Sequence, residues 1–359
     1  MTCSLYGAPT FSARCAMPLP VLLIGLCYLL FSVSEVKAQD SLTIVSYNVE
    51  NLFDTEDDPG HADEEFLPSA QKGWTQERYR TKIKRTARVL SDLGGWDFPA
   101  IVGLCEVEND SILDELCAHS YLRKADYHHA IANGSDPRGI NVALLWSDRF
   151  FEHLETHEIL CPLNHEQKRS GRNILRVSLR AWQGGSRWEV FVLHAPSRRP
   201  GARSSSSDRI AYTATVRSVI DSLMVAAPHS RIIVLGDFND RPDSPSLTKG
   251  LRAHQPDSVS GSLPPDLYNL SPTSAASGFG SHYFDGEYWT PDQIIVSHHL
   301  LDPNQKPNVS GALAHIFAPP YLCRLTPDGK RRPHRTYLGD FYSGGFSDHF
   351  PTYIRLYSH

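Results

Sequence analysis

The chain has 359 residues, 21% of them charged and 41% hydrophobic, with a formal net charge of −5. That balance excludes a disordered chain, and no collagen-like or low-complexity repeat is present. The sequence pI of about 6.4 excludes a broadly basic nucleic-acid coat, so a polyanion would have to be met by a local basic site and metal ions.

The first segment differs from the rest. Leu19 to Val33 is almost wholly apolar, Arg14 precedes it, and Ser34 to Asp40 (SEVKAQD) follows. A positive residue, an apolar run of roughly 15 residues and a small-residue exit describe a secretory signal, with Val36-Lys37-Ala38 as its cleavage site. The run is shorter than the roughly 20 residues of a spanning helix, which disfavours a membrane anchor. Lipid attachment at Cys27 is disfavoured by Leu26, where a small residue is wanted. The expected division is residues 1–38 as signal peptide and 39–359 as one domain, exported to the periplasm or medium. Loss of Arg14, Glu35 and Lys37 makes the remainder one unit more negative. Cys105, Cys117, Cys161 and Cys323 remain. They suit two disulfides or buried free thiols equally, and their spacing does not suggest zinc.

Strand-like runs then recur: Leu42–Asn48, Ala100–Cys105, Ile140–Trp146, Ile174–Leu179, Glu189–His194, Arg231–Leu235, Asp292–Val296 and Thr352–Leu356. Several are apolar on both faces, as in sheets covered on both sides. Trp74–Leu93 has helical periodicity, with Thr75 as N-cap, and so does Asp208–Met224. Strands joined by both hairpins and helices predict a four-layered α/β sandwich, two packed mixed β-sheets flanked by helices. Asp54–Lys72, His254–Thr290 and Ala318–Gly345 read as long irregular loops, and Arg203–Asp208 (RSSSSD) as a flexible one.

Chemically capable residues gather where strands end. The first strand closes on Asn48-Val49-Glu50-Asn51, the second on Glu106-Val107-Glu108-Asn109, and a later one on Gly236-Asp237-Phe238-Asn239. Asp292 opens a strand, Ser347-Asp348-His349 precedes the last one, and His194 ends another before Ala195-Pro196-Ser197-Arg198-Arg199. Singly, each is an ordinary turn residue, surface histidine or solvated basic loop. Jointly they are not. Carboxylates and amide oxygens suit Mg²⁺, Mn²⁺ or Ca²⁺; histidines beside carboxylates suit proton transfer; paired arginines suit a phosphate.

In this order the motifs resemble the endonuclease/exonuclease/phosphatase superfamily, from about Leu42 to Leu356. That group includes deoxyribonucleases, apurinic-site endonucleases, sphingomyelinases and inositol-polyphosphate 5-phosphatases. Tyr47–Asp54, Arg138–Leu145 and His194–Arg199 are similar to an exported bacterial branch. The resemblance implies the following roles. Glu106 is the principal metal ligand, with Asn48, Glu50 and Asp348 beside it. Asp237 orients or deprotonates the attacking water, and Asn239 holds that water or a phosphate oxygen. His349 stabilises the phosphoryl oxygens or protonates the leaving group, with Asp292 fixing its tautomer. His194 is the second histidine. Arg138, Arg172, Ser197, Arg198 and Arg199 are candidate phosphate contacts. Asn141 and Asn173 stand where related proteins carry acids, which puts local pairing there in question.

The resemblance implies an exported, Mg²⁺-dependent hydrolase of phosphodiesters, nuclease-like, with Mn²⁺ or Ca²⁺ as alternative ions and DNA or RNA as substrate. A phospholipase or sphingomyelinase acting on membrane lipid, or an inositol-phosphate phosphatase, is the second reading. The lipid reading needs an exposed aromatic loop, for which Phe279–Trp289 is the candidate; otherwise those rings pack onto the domain. A catalytically inactive surface binding protein is the third, and it conflicts with the filled core positions. No obligate protein partner is implied.

Overall fold

Every apolar run read as a strand forms one in a computed structural model of the chain. The structure describes Thr2 and residues 41–358 except Trp96, Ser135, 165–168, Gly171, 199–202 and 257–264. Apart from Thr2, the expected signal peptide lies outside those residues, as does Arg199. Two compact units divide the chain, Met1–Gln39 and Asp40–His359, and all elements below belong to the second.

The main elements in chain order are β1 (Ser41–Leu52), α1 (Gln76–Gly94), β2 (Ile101–Val107), α2 (Asp110–Ala118), β3 (Tyr127–Ile131), β4 (Asn141–Ser147) and β5 (Phe151–Ile159). They continue with β6 (Ile174–Ala181), β7 (Arg187–His194), α3 (Arg203–Ala226), β8 (Arg231–Asp237), β9 (Leu267–Asn269), β10 (Asp292–Ser297) and β11 (Thr352–Tyr357). The first sheet runs β11-β1-β2-β4-β3, extended beyond β11 by Asn308–Val309; the second runs β9-β10-β8-β7-β6-β5.

Each sheet is built round one parallel pair. In the first it is β1 and β2, joined across α1; in the second it is β7 and β8, joined across α3. The other pairings of these main strands are antiparallel. A parallel pair needs a crossover, and a helix with one apolar face supplies it. Thr75 caps α1, its Oγ1 accepting from the Arg78 N–H. Buried Tyr79, Ile83, Leu90 and Leu93 bind that helix to the outer face of the first sheet. Tyr212, Val216 and Ile220 do the same for α3 on the second.

The inner faces meet in a separate core that includes Ile101, Val142, Leu144, Val190, Val192, Leu235 and Ile294. The sheets approach so closely that a Cβ on Gly103 would lie 2.0 Å from Leu235 Cδ1. The result is the expected four layers of helix, sheet, sheet and helix.

Two local readings change, and one open alternative closes. Arg203–Asp208 is the first part of α3, not a loop. Serine and aspartate are favoured at helix starts, and the downstream apolar face carries the run into the helix. The irregular segments contain short hairpins, including His282–Phe284 with Glu287–Trp289 and Tyr337–Leu338 with Phe341–Tyr342. The four cysteines are free, with Cys105 and Cys161 buried. Among the described residues no helix is long and apolar enough to cross a membrane.

Candidate active site

The C-terminal ends of both parallel pairs open onto one cleft of about 690 Å³. Register sets its floor. Asp237 at the end of β8 pairs with His194 at the end of β7 on one side and with Asp292 at the start of β10 on the other. Three titratable residues therefore stand side by side on adjacent strands. Gly236 permits this close approach: its φ is +136°, and a Cβ there would sit 1.9 Å from the Leu193 carbonyl oxygen.

The first sheet contributes through irregularity. Pairing of β1 with β2 shifts after Asn48, and pairing of β2 with β4 shifts between Cys105 and Val107. Glu50, Asn51 and Glu106 consequently have positive φ angles of 56°, 50° and 68°, and Asn239 has one of 49°. Left-handed backbone is unfavourable for most residues other than glycine, and four of the eight such non-glycine positions among the described residues lie at this site.

The side chains interlock. Asn48 Nδ2 donates to Asp237 Oδ2 at 3.0 Å and to Glu106 Oε1 at 3.3 Å. Its Oδ1 accepts from the Glu50 N–H at 3.0 Å. The Asn51 N–H donates to Glu106 Oε2 at 2.8 Å. Asp237 Oδ1 accepts from the Asn239 N–H at 2.8 Å, while the Asn239 amide donates to the Ala195 carbonyl at 3.0 Å. His349 Nδ1 lies 2.7 Å from Asp292 Oδ2, which also accepts from Ser281 Oγ at 2.5 Å. That contact aims His349 Nε2 at the floor, 3.8 Å from Asp348 Oδ1 and 4.0 Å from Asp237 Oδ2. His194 Nε2 lies 3.6 Å from Asp237 Oδ2 and 4.0 Å from Glu106 Oε1.

Glu50 stands to the side. Its Oε2 accepts from the Thr336 N–H at 2.6 Å and lies 4.0 Å from Lys82 Nζ, and its Oε1 is 3.5 Å from Arg335 Nε. It lines an adjoining pocket of about 190 Å³. Arg335 also donates to Asp348 Oδ2 at 3.0 Å, which links Glu50 to the floor. Lys82, buried in α1, donates to Thr336 Oγ1 and the Phe346 carbonyl, both at 2.6 Å.

Burial raises the Asp237 carboxyl to about 6, opposed by His349 and aided by Asp292. Burial and then the Asp348 carboxylate push Glu50 up. Burial disfavours the His349 imidazolium, but Asp292 and Asp348 together hold its pKa well above the ordinary histidine value. His194 moves the other way, because burial and then Arg172 and Arg138 favour the neutral ring. Hard carboxylate oxygens crowded until two of them resist ionisation form a donor set that fits a divalent cation. Among the described residues two groups bring ligand atoms within 4.8 Å of one another: His282, Asp348 and His349, and Asp237, Asp292 and His349.

One wall of the cleft is basic. Asp136 clamps both of its arginines: Arg172 Nε donates to Oδ2 at 2.7 Å, and Arg138 donates from its backbone N–H at 2.9 Å and from Nε at 3.3 Å, both to Oδ1. Burial opposes ionisation of Asp136, yet Arg172 and Arg138 hold its carboxyl below the usual range. Arg172 also reaches the His194 and Ala195 carbonyls at 3.3 Å. Ser197 and Arg198 line the same cleft, with Arg198 tied to Asp240.

The structure thus gathers Asn48, Glu106, His194, Asp237, Asn239, Asp292, Asp348 and His349 on one floor, with Arg138, Arg172, Ser197 and Arg198 beside it. Asp136, Lys82, His282 and Arg335 were not read from the sequence. Lys82 lies on a helix, Asp136 and Arg335 in loops and His282 on a three-residue hairpin strand, and a lone titratable residue in such a place carries no signal. Asn141 and Asn173 are well used. Asn141 Nδ2 donates to the Glu108 and Gly139 carbonyls at 2.8 and 2.9 Å, and Asn173 Nδ2 to the Asn133 carbonyl and Glu158 at 2.9 Å. An acid could not make these donations.

A mixed two-sheet sandwich with this cleft at its strand ends defines a class of phosphoester hydrolases. The chain belongs to the Endonuclease/Exonuclease/phosphatase family, whose profile matches residues 43–358. Members of that family depend on a divalent metal. The fold is shared with a family protein from Bacteroides vulgatus at 14% identity and TM-score 0.53, covering 89% of this chain and 99% of that one. It is shared with the human Nocturnin catalytic domain, solved with bound sulfate, at 13% identity and TM-score 0.50, covering 90% and 97%. A mannosyl-6-phosphatase from Bacteroides thetaiotaomicron matches at 14% identity and TM-score 0.50, covering 88% and 99%. No curated protein matches the chain.

Proposed function

We propose that the protein is an exported phosphodiesterase, nuclease-like in the ester it cuts and dependent on Mg²⁺ or a similar divalent cation. One observation carries the reading: the Asn48–Glu106–Asp237 hydrogen-bonded group and the Asp292–His349 pair share a floor beside the clamped arginines. The cleft of about 690 Å³ gives room for the two arms of a diester.

Glu106 and Asp348 would hold the cation, with Glu50 adjoining through Arg335. When bound, the cation neutralises a phosphate oxygen and so lowers the barrier to attack by water. Asp237 faces the interior of the floor and accepts a proton from an attacking water, while the Asn239 N–H fixes its carboxylate. Asp292 orients His349 so that Nε2 donates to a phosphoryl oxygen or to the leaving oxygen. Neutral His194 offers a further contact without adding charge. Arg138 and Arg172, held by Asp136, receive the polyanionic arm.

The test is a substrate panel after chelation and re-addition of Mg²⁺, Mn²⁺ or Ca²⁺. DNA, RNA and bis-p-nitrophenyl phosphate stand for diesters; mannose 6-phosphate and p-nitrophenyl phosphate for monoesters; sphingomyelin for lipid. Cation-dependent cleavage of diesters ahead of monoesters is expected. No turnover of any phosphoester with any of the cations would contradict the reading. Export is tested by N-terminal sequencing of secreted protein, with a start just after Ala38 expected and an intact Met1 contradicting it.

A further inference from the structure

The hairpin 282–289 also bounds the cleft, meeting its basic side where Trp289 lies under Arg198. His282 pairs with Trp289, Tyr283 with Tyr288 and Phe284 with Glu287. Alternation along the strands places His282, Phe284 and Trp289 on one face, and all three line the cleft. Tyr283 and Tyr288 take the other face, their ring centroids 5.1 Å apart, and the Tyr288 hydroxyl donates to the Arg331 carbonyl at 2.6 Å. A backbone bridge from His282 to His349 ties the hairpin to the floor.

Most aromatic rings of this segment are already covered. Phe279 packs on Phe350 at 5.7 Å, and Trp289 lies under the Arg198 and Arg241 guanidinium groups at 4.7 and 4.3 Å. Phe284 differs, for it is 63% exposed while lining the cleft. Its ring is nearly parallel to that of His282, at 6.3 Å and 18°, and His282 in turn lies 4.5 Å from His349. A row of rings therefore leads from the floor to an open apolar surface. A lone exposed phenyl on a protein surface is unremarked. One held in register beside a phosphoester site presents a flat face at about the reach of a substituent on the ester.

We propose that Phe284 is a stacking platform for a planar aryl group of the substrate, a nucleobase or a phenolic ring, and thereby sets specificity. The proposal deepens the phosphodiesterase reading and rests on it: the aryl arm lies along the hairpin and the anionic arm along Arg138 and Arg172. Stacking on an aromatic side chain tolerates any base, because every base has a flat π-face.

The experiment is calorimetric binding of dTMP, phenyl phosphate and 2-deoxyribose 5-phosphate to the full chain with Mg²⁺, for wild type, Phe284→Ala and Phe284→Tyr. Wild type is expected to prefer an aryl ligand over 2-deoxyribose 5-phosphate by about tenfold. Phe284→Ala should reduce that ratio to below about twofold, and Phe284→Tyr should restore it. Preference for dTMP alone identifies a nucleobase, and preference for phenyl phosphate alone a phenolic ester. A wild-type ratio near one, absence of measurable binding, or a preference that survives in Phe284→Ala overturns the proposal. Because binding is read without turnover, its outcome is separable from the substrate panel: turnover without an aryl preference refutes the platform alone.

Discussion

The floor and the arginine wall of the cleft are built in opposite ways. Floor residues sit at the ends or starts of strands, are fixed by sheet register, and are mostly buried; Asp237 and Asp292 are 2% and 0% exposed. The wall comes from loops and is fixed by a countercharge, since Asp136 holds Arg138 and Arg172 where no strand does. A strand end can therefore hold a carboxylate in position at low entropic cost, whereas a loop arginine needs a partner to do so. The floor is suited to chemistry that tolerates little displacement, and the wall to recognition that can adapt.

The largest effect should come from breaking the floor. Asp292→Asn leaves the strand intact but removes the negative partner of His349. A loss of about 10² or more in kcat is expected, with a shifted pH–rate profile, in steady-state hydrolysis of bis-p-nitrophenyl phosphate. A variant within about twofold of wild type would remove His349 from the mechanism.

Lys82 tests what lies beneath the floor. Lys82→Met leaves the buried Glu50 carboxylate without its nearest ammonium, which should cost about 3–5 kcal/mol in denaturant unfolding. Combining it with Glu50→Gln should recover part of that loss, because the unpaired charge is gone. An additive double mutant would show that the two residues do not interact.

The wall should respond more gently. Arg172→Ala is expected to raise KM about tenfold while changing kcat less, because the lost contact serves ground state and transition state alike. Arg138→Ala should do less, since its side chain is 38% exposed against 13% for Arg172. Equal loss of kcat and kcat/KM in Arg172→Ala would move that arginine from the wall to the floor.

The smallest effect lies at the far end of β10. Burial first, then His298 and His229, lower the His299 pKa to about 4. A histidine whose folded pKa is depressed adds stability above its unfolded value of about 6.5. That stability falls as pH drops from about 6.5 towards the folded value of about 4. Wild type should lose a few degrees of Tm between pH 7 and pH 5 that His299→Phe does not lose, with or without Mg²⁺. An equal loss in both would separate acid sensitivity from His299.

The comparison also explains what the sequence could reveal. Glu106, Asp237 and Asp348 were legible because each follows or precedes an apolar run whose end is itself legible. The strands and both crossover helices were read within a few residues for the same reason. Phe151–Ile159 was missed because its outer side is polar and exposed, which hides the alternation of an edge strand. The short helix Asp110–Ala118 is legible only as a helix-like run around Cys117, because it directly follows a strand without a visible break, although Asn109 caps it through the Ile112 N–H. Asp136 and Arg335 depend on loop geometry and His282 on a three-residue strand, neither of which leaves a periodic trace. Arg203–Asp208 is ambiguous in sequence because four consecutive serines suit a loop and a helix start alike.

The central claim is that the floor seats a divalent cation on which phosphoester cleavage depends. The direct test is hydrolysis of bis-p-nitrophenyl phosphate against Mg²⁺ concentration for wild type and Glu106→Gln, with cation binding followed in parallel by the rise in Tm. The account predicts saturable, Mg²⁺-dependent turnover and a Tm rise in wild type, and in Glu106→Gln a weakened Tm response with turnover lower by about 10² or more. Full turnover in wild type after chelation, or an unaltered cation response in Glu106→Gln, would contradict it.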